Sequence, residues 1–278
     1  MYFAFNSVIT KKINVMKTLF VFLISILSTA YLCAQELRTV KNNAYTYGEK
    51  LEYRVFYDSF LTGNVTAGIA SLEIQKDPAV IANRNTMHVV GLGRTRGLFN
   101  LFFRVVNRYE TYIDEQAIAP LLFIRRINEG GYIKNQDVTF NQFTNTAHSN
   151  TATVNVVEYV QDIISAFYYA RSYDASKLKV GDEIPINFFL DDTVYVTKIV
   201  YEGKENITTR LGTFRCMRFK PMVLTGNVFS QPYPMTLWIS DDENKIPVLA
   251  ESGILVGSVK MELIRFSGLR NPVTSRIR

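Results

Sequence analysis

The chain has 278 residues, of which 47% are hydrophobic and 13% aromatic, with 31 basic and 25 acidic side chains and two cysteines. This length is sufficient for a large core, and no segment rich in proline, serine or glycine divides the chain. The net charge of +6 falls to +3 without residues 1–34, which hold three lysines and no acid. No basic stripe remains, so the composition argues against a nucleic-acid-binding protein.

Residues 1–34 have the pattern of an export signal. Lys11, Lys12 and Lys17 precede residues 19–32, the uncharged run LFVFLISILSTAYL. A basic segment followed by an apolar run of this length is typical of a signal peptide and is short for a membrane-spanning helix. The sequence therefore predicts export, to the periplasm or to an outer-membrane-associated location in a Gram-negative envelope.

Processing is expected at the end of this segment. We predict cleavage after Ala34, and residues 1–15 lie upstream of a second start at Met16 in this interpretation. An uncleaved N-terminal anchor is one alternative. Lipid attachment at Cys33 is another, although Leu32 is an unfavourable residue before a lipidated cysteine.

Strand-like segments dominate the remaining sequence. Short runs of Val, Ile, Thr, Tyr and Phe, bounded by Gly, Asn, Asp or Pro, recur from Tyr47 to Phe266. Residues 48–57 alternate apolar and charged side chains, and we predict that they pair with residues 65–75 through a turn at 62–64. The expected fold is mainly β, as an antiparallel barrel, half-barrel or sandwich.

One segment has helical periodicity instead. Residues 160–172 place Ile163, Ile164, Phe167 and Ala170 on one stripe, which predicts an amphipathic helix packed on the sheet. The aromatic run at residues 98–103 fits either a short helix or a buried strand, and its periodicity does not decide between them.

The two sides of this helix share a weak pattern. Residues 48–58 and 181–191 both run from glycine and an acid through alternating apolar positions to aspartate. This similarity suggests two related β halves, 45–155 and 180–266, joined by the helix within a single domain at 35–278. Chance similarity between amphipathic hairpins is the alternative.

Four motifs together carry a family resemblance. They are GEKLEY at 48–53, VQDIISAFYYAR at 160–171, GTFRC at 212–216 and WISDDENKIPV at 238–248. In this order they resemble the DUF3108 family of bacterial envelope proteins, over residues 45–266. The resemblance implies an exported, largely β protein, and it brings no assigned function and no catalytic residues.

The sequence lacks the usual motifs of catalysis and metal binding. His88, in a predicted strand, and His148, in a predicted loop, have no motif partners around them, and the glycines of residues 91–97 are interpreted as a turn. Cys216 alone remains after signal cleavage, so no disulfide framework or cysteine metal site is expected. We predict no metal, no cofactor and no enzymatic activity.

Paired acids keep one enzymatic alternative open. A glycosidase needs two carboxylates at a fixed separation, and Glu110, Asp114, Glu129 and Asp162 all have aromatic neighbours. Structural roles are the competing interpretation, with Asp114 in a turn and Asp162 near the helix start, where the helix dipole favours an acid.

Arginines within apolar strands point to a ligand-binding interior. Arg125 and Arg126 follow apolar residues on opposite faces of one predicted strand, so one guanidinium should enter an enclosed space and meet an acid or an anionic ligand. Internal ion pairs with Glu110, Glu129 or Asp162 are the structural alternative. The full candidate set for ligand binding is Arg104, Tyr109, Glu110, Arg125, Arg126, Asp162, Arg171 and Trp238.

The leading functional hypothesis is non-enzymatic binding of a lipid-like or other apolar molecule in a concave β interior. Envelope proteins are further expected partners, nucleic acid is not, and membrane association is expected to be peripheral at most. The alternatives are a structural or interaction protein with a solid core and a carbohydrate-active enzyme with paired carboxylates.

Overall fold

The structure is a computed structural model that describes residues 36–60, 63–222, 235–253 and 257–277. The predicted signal peptide lies outside the described residues, together with its cleavage site and Cys33. Residues Arg38–Arg278 form one compact unit, whereas in the unit Met1–Leu37 only Glu36 and Leu37 are described, without regular secondary structure. Within the described ranges, no helix is long and apolar enough to cross a membrane.

Strands account for most of the described residues. In chain order they are β1 (Lys50–Ser59), β2 (Gly63–Ile74), β3 (Ala79–Ile81), β4 (Arg84–Thr95), β5 (Val106–Asp114), β6 (Pro120–Glu129), β7 (Tyr132–Asn141), β8 (Thr146–Ser149), β9 (Thr153–Asn155), β10 (Glu183–Leu190), β11 (Thr193–Thr209), β12 (Gly212–Pro221), β13 (Met235–Ser240), β14 (Pro247–Gly253), β15 (Ser258–Ser267) and β16 (Arg276–Ile277). The helices are α1 (Phe99–Phe102), α2 (Ser165–Ser172) and a 3₁₀ turn (Ala175–Lys177).

All of these strands belong to one antiparallel sheet. Its main path runs β10-β11-β12-β13-β14-β15-β1-β2-β4-β5-β6-β7-β8-β9, with β3 beside β4 and β16 beside β12. The predicted pairing of residues 48–57 with 65–75 is confirmed as the ladder between β1 and β2. The predicted mainly antiparallel β class is therefore confirmed.

The two ends of the strand path come together. Gln161 forms a parallel bridge with Phe188 of β10, and its carbonyl accepts the amide of Phe189 at 2.8 Å. Phe189 packs in one cluster with Phe123 of β6 and Phe140 of β7. The sheet therefore curves into a wall with an inner face, which we define as the face that α2 contacts.

Alternation along the strands builds the core. On β6, Leu121, Phe123, Arg125 and Ile127 are buried, and the residues between them are more accessible. This period of two is the one expected of a strand with one covered face. On the inner face, Tyr168 of α2 is fully buried in a cluster with residues of β2, β4 and β5.

The predicted helix exists, but its predicted start at residue 160 is wrong. Gln161 is held in the β-bridge, and the Asp162 carboxylate accepts the amides of Ile164 and Ser165 at 2.7 and 2.8 Å. Regular helix therefore begins only at Ser165. A side-chain oxygen that binds free amides near a helix start stabilises that terminus.

Two local expectations are also corrected, and one open choice is settled. Residues 91–95 continue β4 instead of forming a turn, and His148 lies in β8 instead of a loop. Residues 98–103 contain the exposed helix α1, which settles the open choice against a buried strand. Strands of both predicted halves, 45–155 and 180–266, share one sheet, and the relatedness of the halves stays a prediction.

Candidate ligand-binding site

A partly open cavity of about 220 Å³ lies between α2 and strands β10 to β13. Apolar side chains form most of its lining among the described residues. They are Ala166, Phe167, Ala170, Tyr173, Ala175, Ile184, Ile186, Phe188, Ile199, Met217, Phe219, Pro221, Met222, Leu237 and Ile239.

Local sequence explains why this space exists. Ala166 and Ala170 lie one helical turn apart on α2, so the helix presents small side chains to the cavity. Ile184 and Ile186 alternate along β10 and thus point to the same side of the sheet. Small residues facing large apolar ones leave a space that neither side fills.

The polar lining is confined to a few groups. Thr197 donates its hydroxyl to the Ile186 carbonyl, and Lys198 binds Glu183 at 2.6 Å. The ammonium of Lys245 donates to the Tyr173 carbonyl at 2.8 Å, and burial lowers its pKa. The ammonium also donates to the Arg171 carbonyl at 3.3 Å, and no carboxylate of the described residues forms an ion pair with it.

A second, polar pocket adjoins this cavity. Its volume is about 670 Å³, and it shares Ala175, Met217 and Lys245 with the apolar cavity. Charged side chains of both signs line it. They are Lys41, Asp174, Lys204, Asp241, Asp242, Glu243 and Lys245. The apolar cavity thus borders directly on a polar pocket.

Arg171, the last cation of α2, forms a buried ion pair at the edge of the cavity. Its Nη1 and Nη2 donate to the two carboxylate oxygens of Glu49 at 2.6 and 2.8 Å, and Nη2 also donates to the Asn244 carbonyl at 2.9 Å. Burial alone would lower the pKa of Arg171, but the attraction of Glu49 raises it well above its ordinary value. The pair fixes the end of α2 to the start of β1.

Three tyrosines surround this ion pair. The hydroxyls of Tyr45, Tyr53 and Tyr168 are buried, and none has a hydrogen-bond partner among the described residues. Burial raises the pKa of all three phenols, so they remain neutral donors. Sequence reasoning missed this cluster because Tyr168 lies more than 100 residues from Tyr45 and Tyr53 in the chain.

Asp162 lies under α2 and serves as a cap. Besides the two amides, its carboxylate accepts the Thr111 hydroxyl at 2.5 Å. Burial raises the pKa of Asp162 to about 6, although these hydrogen bonds act in the opposite direction. The geometry supports the structural alternative for this residue, and Asp162 does not line the cavity among the described residues.

Arg125 and Arg126 point to opposite faces, as alternation predicts, but their expected partners were wrong. Buried Arg125 donates to Gln136 at 2.9 Å and to Asp191, and more accessible Arg126 donates to Asp137 at 3.1 Å. Neither arginine lines the cavity. Asp191 lies in the turn after β10, 66 residues from Arg125, which the sequence pattern could not connect.

The acids expected to pair with these arginines have other partners. Glu110 on β5 accepts His88 and Arg108, both at 2.7 Å. Burial would raise the pKa of Glu110, but the bonds from Arg108 and His88 lower it. Glu129 accepts the Asn107 side-chain amide at 2.5 Å.

Three other candidates also lie apart from the cavity. Arg104 is exposed in the segment before β5, which contradicts the expectation that it faces an interior. Tyr109 stacks on Phe123 with ring centroids 6.4 Å apart. Trp238 of β13 donates its indole N–H to Glu205 of β11 at 2.5 Å. Of the candidate set, only Arg171 lines the cavity.

No three side chains of His, Cys, Asp or Glu within the described ranges converge in a way that could hold a metal ion. Cys216 is buried in β12, and burial raises the pKa of its thiol to about 12. A thiol that stays protonated is a weak nucleophile, so Cys216 functions as core filler.

Comparison with solved structures supports the fold. The chain resembles a β-barrel-like protein of the domain of unknown function DUF1849 from Brucella abortus, with a TM-score of 0.51 and 10% identity over 83% of this chain and 98% of that chain. At this identity the likeness concerns the fold alone.

Two further structures are less similar. A candidate lipoprotein from Parabacteroides distasonis has a TM-score of 0.38 and 14% identity, covering 84% of this chain and 100% of its own. A candidate exported protein with a YmcC-like fold from Bacteroides fragilis has a TM-score of 0.31 and 10% identity, covering 82% and 99%.

A search of curated proteins finds no match. In contrast, the family model for the protein of unknown function DUF3108 matches residues 52–264, most of the chain. This match spans α2, the cavity-lining strands and three of the four motifs that carried the resemblance, and it begins within the remaining motif at 48–53. The chain belongs to the DUF3108 family.

Proposed function

We propose that this protein is an exported, non-enzymatic component of the cell envelope that binds one apolar chain in the cavity beneath α2. The observation that carries the proposal is the cavity itself, with its apolar lining at the junction of α2 and β10 to β13. Concave, mostly apolar sites with a few polar groups are typical of small-molecule binding.

The size of the cavity favours a slender ligand. Typical sites for drug-sized molecules measure roughly 300–1,000 Å³. The cavity here measures about 220 Å³, which suits a single acyl chain better than a bulky ring system. Burial of apolar ligand surface would supply most of the binding free energy, at about 25 cal/mol per Å² before the costs of association.

The adjoining polar pocket supports an amphiphilic ligand. Lys245 lies at the boundary of the two spaces, next to the apolar lining and to the charged side chains of the polar pocket. An ammonium at this boundary could contact the polar head of a molecule whose chain fills the apolar cavity.

The engagement of the candidate acids supports a non-enzymatic role. Glu110 binds His88 and Arg108, Glu129 binds Asn107, and Asp162 caps α2. Asp114 is buried and bound by Arg84. A glycosidase requires two carboxylates that are available to a substrate across an accessible cleft, whereas each of these four acids is already bonded to another protein side chain.

Export is supported by residues 1–34, whose basic start and uncharged apolar run have the form of a signal peptide. A periplasmic or outer-membrane-associated location follows in this proposal. There the protein would meet acyl chains during envelope assembly.

The proposal is tested with a fluorescent fatty acid, cis-parinaric acid, titrated into the protein purified without detergent. We expect saturable binding with enhanced emission, because the slender conjugated chain leaves water when it enters an apolar site. Ala170→Phe places an aromatic ring in the cavity and should weaken binding at least tenfold.

The matched control is Val196→Phe, which adds the same ring at an exposed position on β11, outside the cavity lining. We expect this control to bind like the wild type. Equal affinity of the wild type and both variants, with unchanged thermal unfolding, would refute binding beneath α2.

A further inference from the structure

An exposed apolar loop projects from the wall between β4 and β5. Within it, Phe102 is 86% exposed, Leu101 78% and Leu98 69%. Soluble proteins rarely leave several large apolar side chains together in water, and such groupings mark interaction sites. The loop is distinct from the cavity beneath α2, whose lining includes none of its residues.

Backbone contacts hold the loop at its base. Thr95 donates its amide to the Val105 carbonyl at 3.2 Å and accepts the Val105 amide through its hydroxyl at 2.9 Å. Gly130 donates to the Arg104 carbonyl at 2.8 Å. The loop is thus anchored at both ends, and its apolar side chains protrude from a fixed base.

The neighbouring hairpin extends the apolar surface. Phe103 packs against Gly130, where an added methyl group would lie 2.4 Å from the ring. The next strand begins with Tyr132 and Ile133, both exposed. We define the apolar tip as Leu98, Leu101, Phe102, Phe103, Tyr132 and Ile133.

Positive charge accompanies this tip. Residues 92–109 contain Arg94, Arg96, Arg104 and Arg108 and no aspartate or glutamate. All four arginines are exposed. Arg108 pairs with Glu110 at 2.7 Å, whereas the other three have no carboxylate within ion-pair distance among the described residues.

We infer that the apolar tip docks this protein on the surface of an anionic lipid bilayer. Phe and Leu side chains enter the boundary between headgroups and acyl chains, while the arginines remain at the level of the lipid phosphates. Apolar insertion and charge attraction together give stable but reversible attachment, which neither gives alone.

The charge pattern favours a membrane over a protein partner. Protein interfaces usually combine both signs of charge around an apolar centre. Here three unpaired arginines flank the tip, and Glu129, the acid opposite Tyr132, is bound by the Asn107 side-chain amide and by none of these arginines. That distribution complements a uniformly anionic surface.

Co-sedimentation with vesicles tests this inference. The wild type should bind vesicles of phosphatidylcholine mixed with phosphatidylglycerol more tightly than vesicles of phosphatidylcholine alone. Leu101→Ser with Phe102→Ser should weaken binding to both compositions at least tenfold. Val80→Ser with Val180→Ser removes two exposed valines away from the tip and should leave binding unchanged.

A second variant separates the charge from the apolar contribution. Arg96→Gln with Arg104→Gln should weaken binding to the anionic vesicles by roughly 25-fold, about fivefold for each arginine, and leave binding to neutral vesicles unaltered. The wild type should lose its preference for anionic over neutral vesicles when NaCl rises from about 0.1 M to about 1 M, since the Debye length falls from about 10 Å to about 3 Å.

Two results would overturn the inference. One is equal binding of the wild type and of Leu101→Ser with Phe102→Ser to anionic vesicles. The other is a wild type that ignores vesicles but forms dimers in sedimentation velocity that this variant lacks, which would assign the tip to self-association. All variants carry the same N-terminus, so any contribution of residues 1–34 is common to them. Neither result bears on the cavity.

Discussion

At the scale of single residues, buried charges decide how the helix is held on the sheet. Glu49 and Arg171 are almost fully inaccessible to solvent, yet their charges are compensated. Both carboxylate oxygens of Glu49 accept hydrogen bonds from the two terminal guanidinium nitrogens of Arg171, which makes the pair bidentate. Such a pair contributes little net stability when both partners are present, but removal of one leaves an uncompensated buried charge.

Glu49→Gln should therefore lower the free energy of unfolding by about 3–5 kcal/mol. The combination of Glu49→Leu with Arg171→Met should recover a large part of this loss, because no buried charge remains. Denaturant unfolding measures both values.

The matched control is Glu183→Gln, which breaks a largely exposed pair with Lys198 and should cost less than about 1 kcal/mol. Similar midpoints for Glu49→Gln and the wild type would show that the buried pair does not hold α2 in place.

Asp162 makes stability depend on pH. Its folded-state pKa is raised from 3.8 to about 6 by burial. The folded protein therefore binds this proton more tightly than the unfolded chain, so the stabilisation is present below pH 3.8 and is lost as the pH rises through about 6.

Relative to Asp162→Asn, the wild type should thus lose up to about 3 kcal/mol of unfolding free energy across this window. Asp174→Asn is the control, for which we expect the opposite dependence on pH. The pKa of Asp174 is lowered by its bonds with Ser176, so the free energy of unfolding of the wild type should rise relative to that of Asp174→Asn as the pH rises. A pH-independent difference for Asp162→Asn would contradict the buried-acid account.

The sequence predicted residue directions better than residue partners. Alternation along β6 correctly separated Arg125 from Arg126, since neighbouring residues on a strand point to opposite faces. The partners Asp191 and Asp137 were missed. A pairing across 66 residues depends on how the sheet closes, and local periodicity contains no information about closure.

At the scale of secondary-structure elements, close backbone approaches fix how strands meet. Gly268 follows β15 with φ of +64°, and an added Cβ would lie 2.1 Å from the Gly48 carbonyl oxygen, which precedes β1. Backbone atoms cannot yield as flexible side chains do, so only glycine fits at this crossing.

Gly268→Ala should accordingly destabilise the protein by more than about 2 kcal/mol, because positive φ and a backbone clash act together. Gly181→Ala provides the comparison, since φ is +95° there but no atom lies within 4 Å of the added Cβ. Gly181→Ala should lower the free energy of unfolding by about 1 kcal/mol. Thermal unfolding of the two variants measures the difference, and an equal loss of stability in both would contradict a tight backbone crossing at Gly268.

Helix boundaries illustrate a different limit of sequence reasoning. The stripe of apolar residues was correct for α2, but the same stripe also fits residues 160–164, which the bridge at Gln161 holds in another conformation. Periodicity predicts that a helix exists more reliably than where it begins. The cavity was not predictable as a location, because it depends on which strands lie opposite Ala166 and Ala170.

At the scale of the whole molecule, the sheet places two functional candidates on separate parts of the wall. The cavity lies between α2 and β10 to β13, and the apolar tip lies beside β4 to β7. A protein that rests on a bilayer by one surface and holds an acyl chain in another would connect membrane attachment with ligand exchange. Both proposals can be tested independently because they share no side chain.

The most direct measurement is a crystal structure of the protein soaked with a fatty acid that carries bromine at its terminal carbon. The account predicts an anomalous bromine peak inside the cavity, within contact distance of Ala170, Ile186 and Phe219, and no such peak in Ala170→Phe. Bromine found only outside the cavity, or ordered protein side chains that fill the space in the wild type, would contradict it.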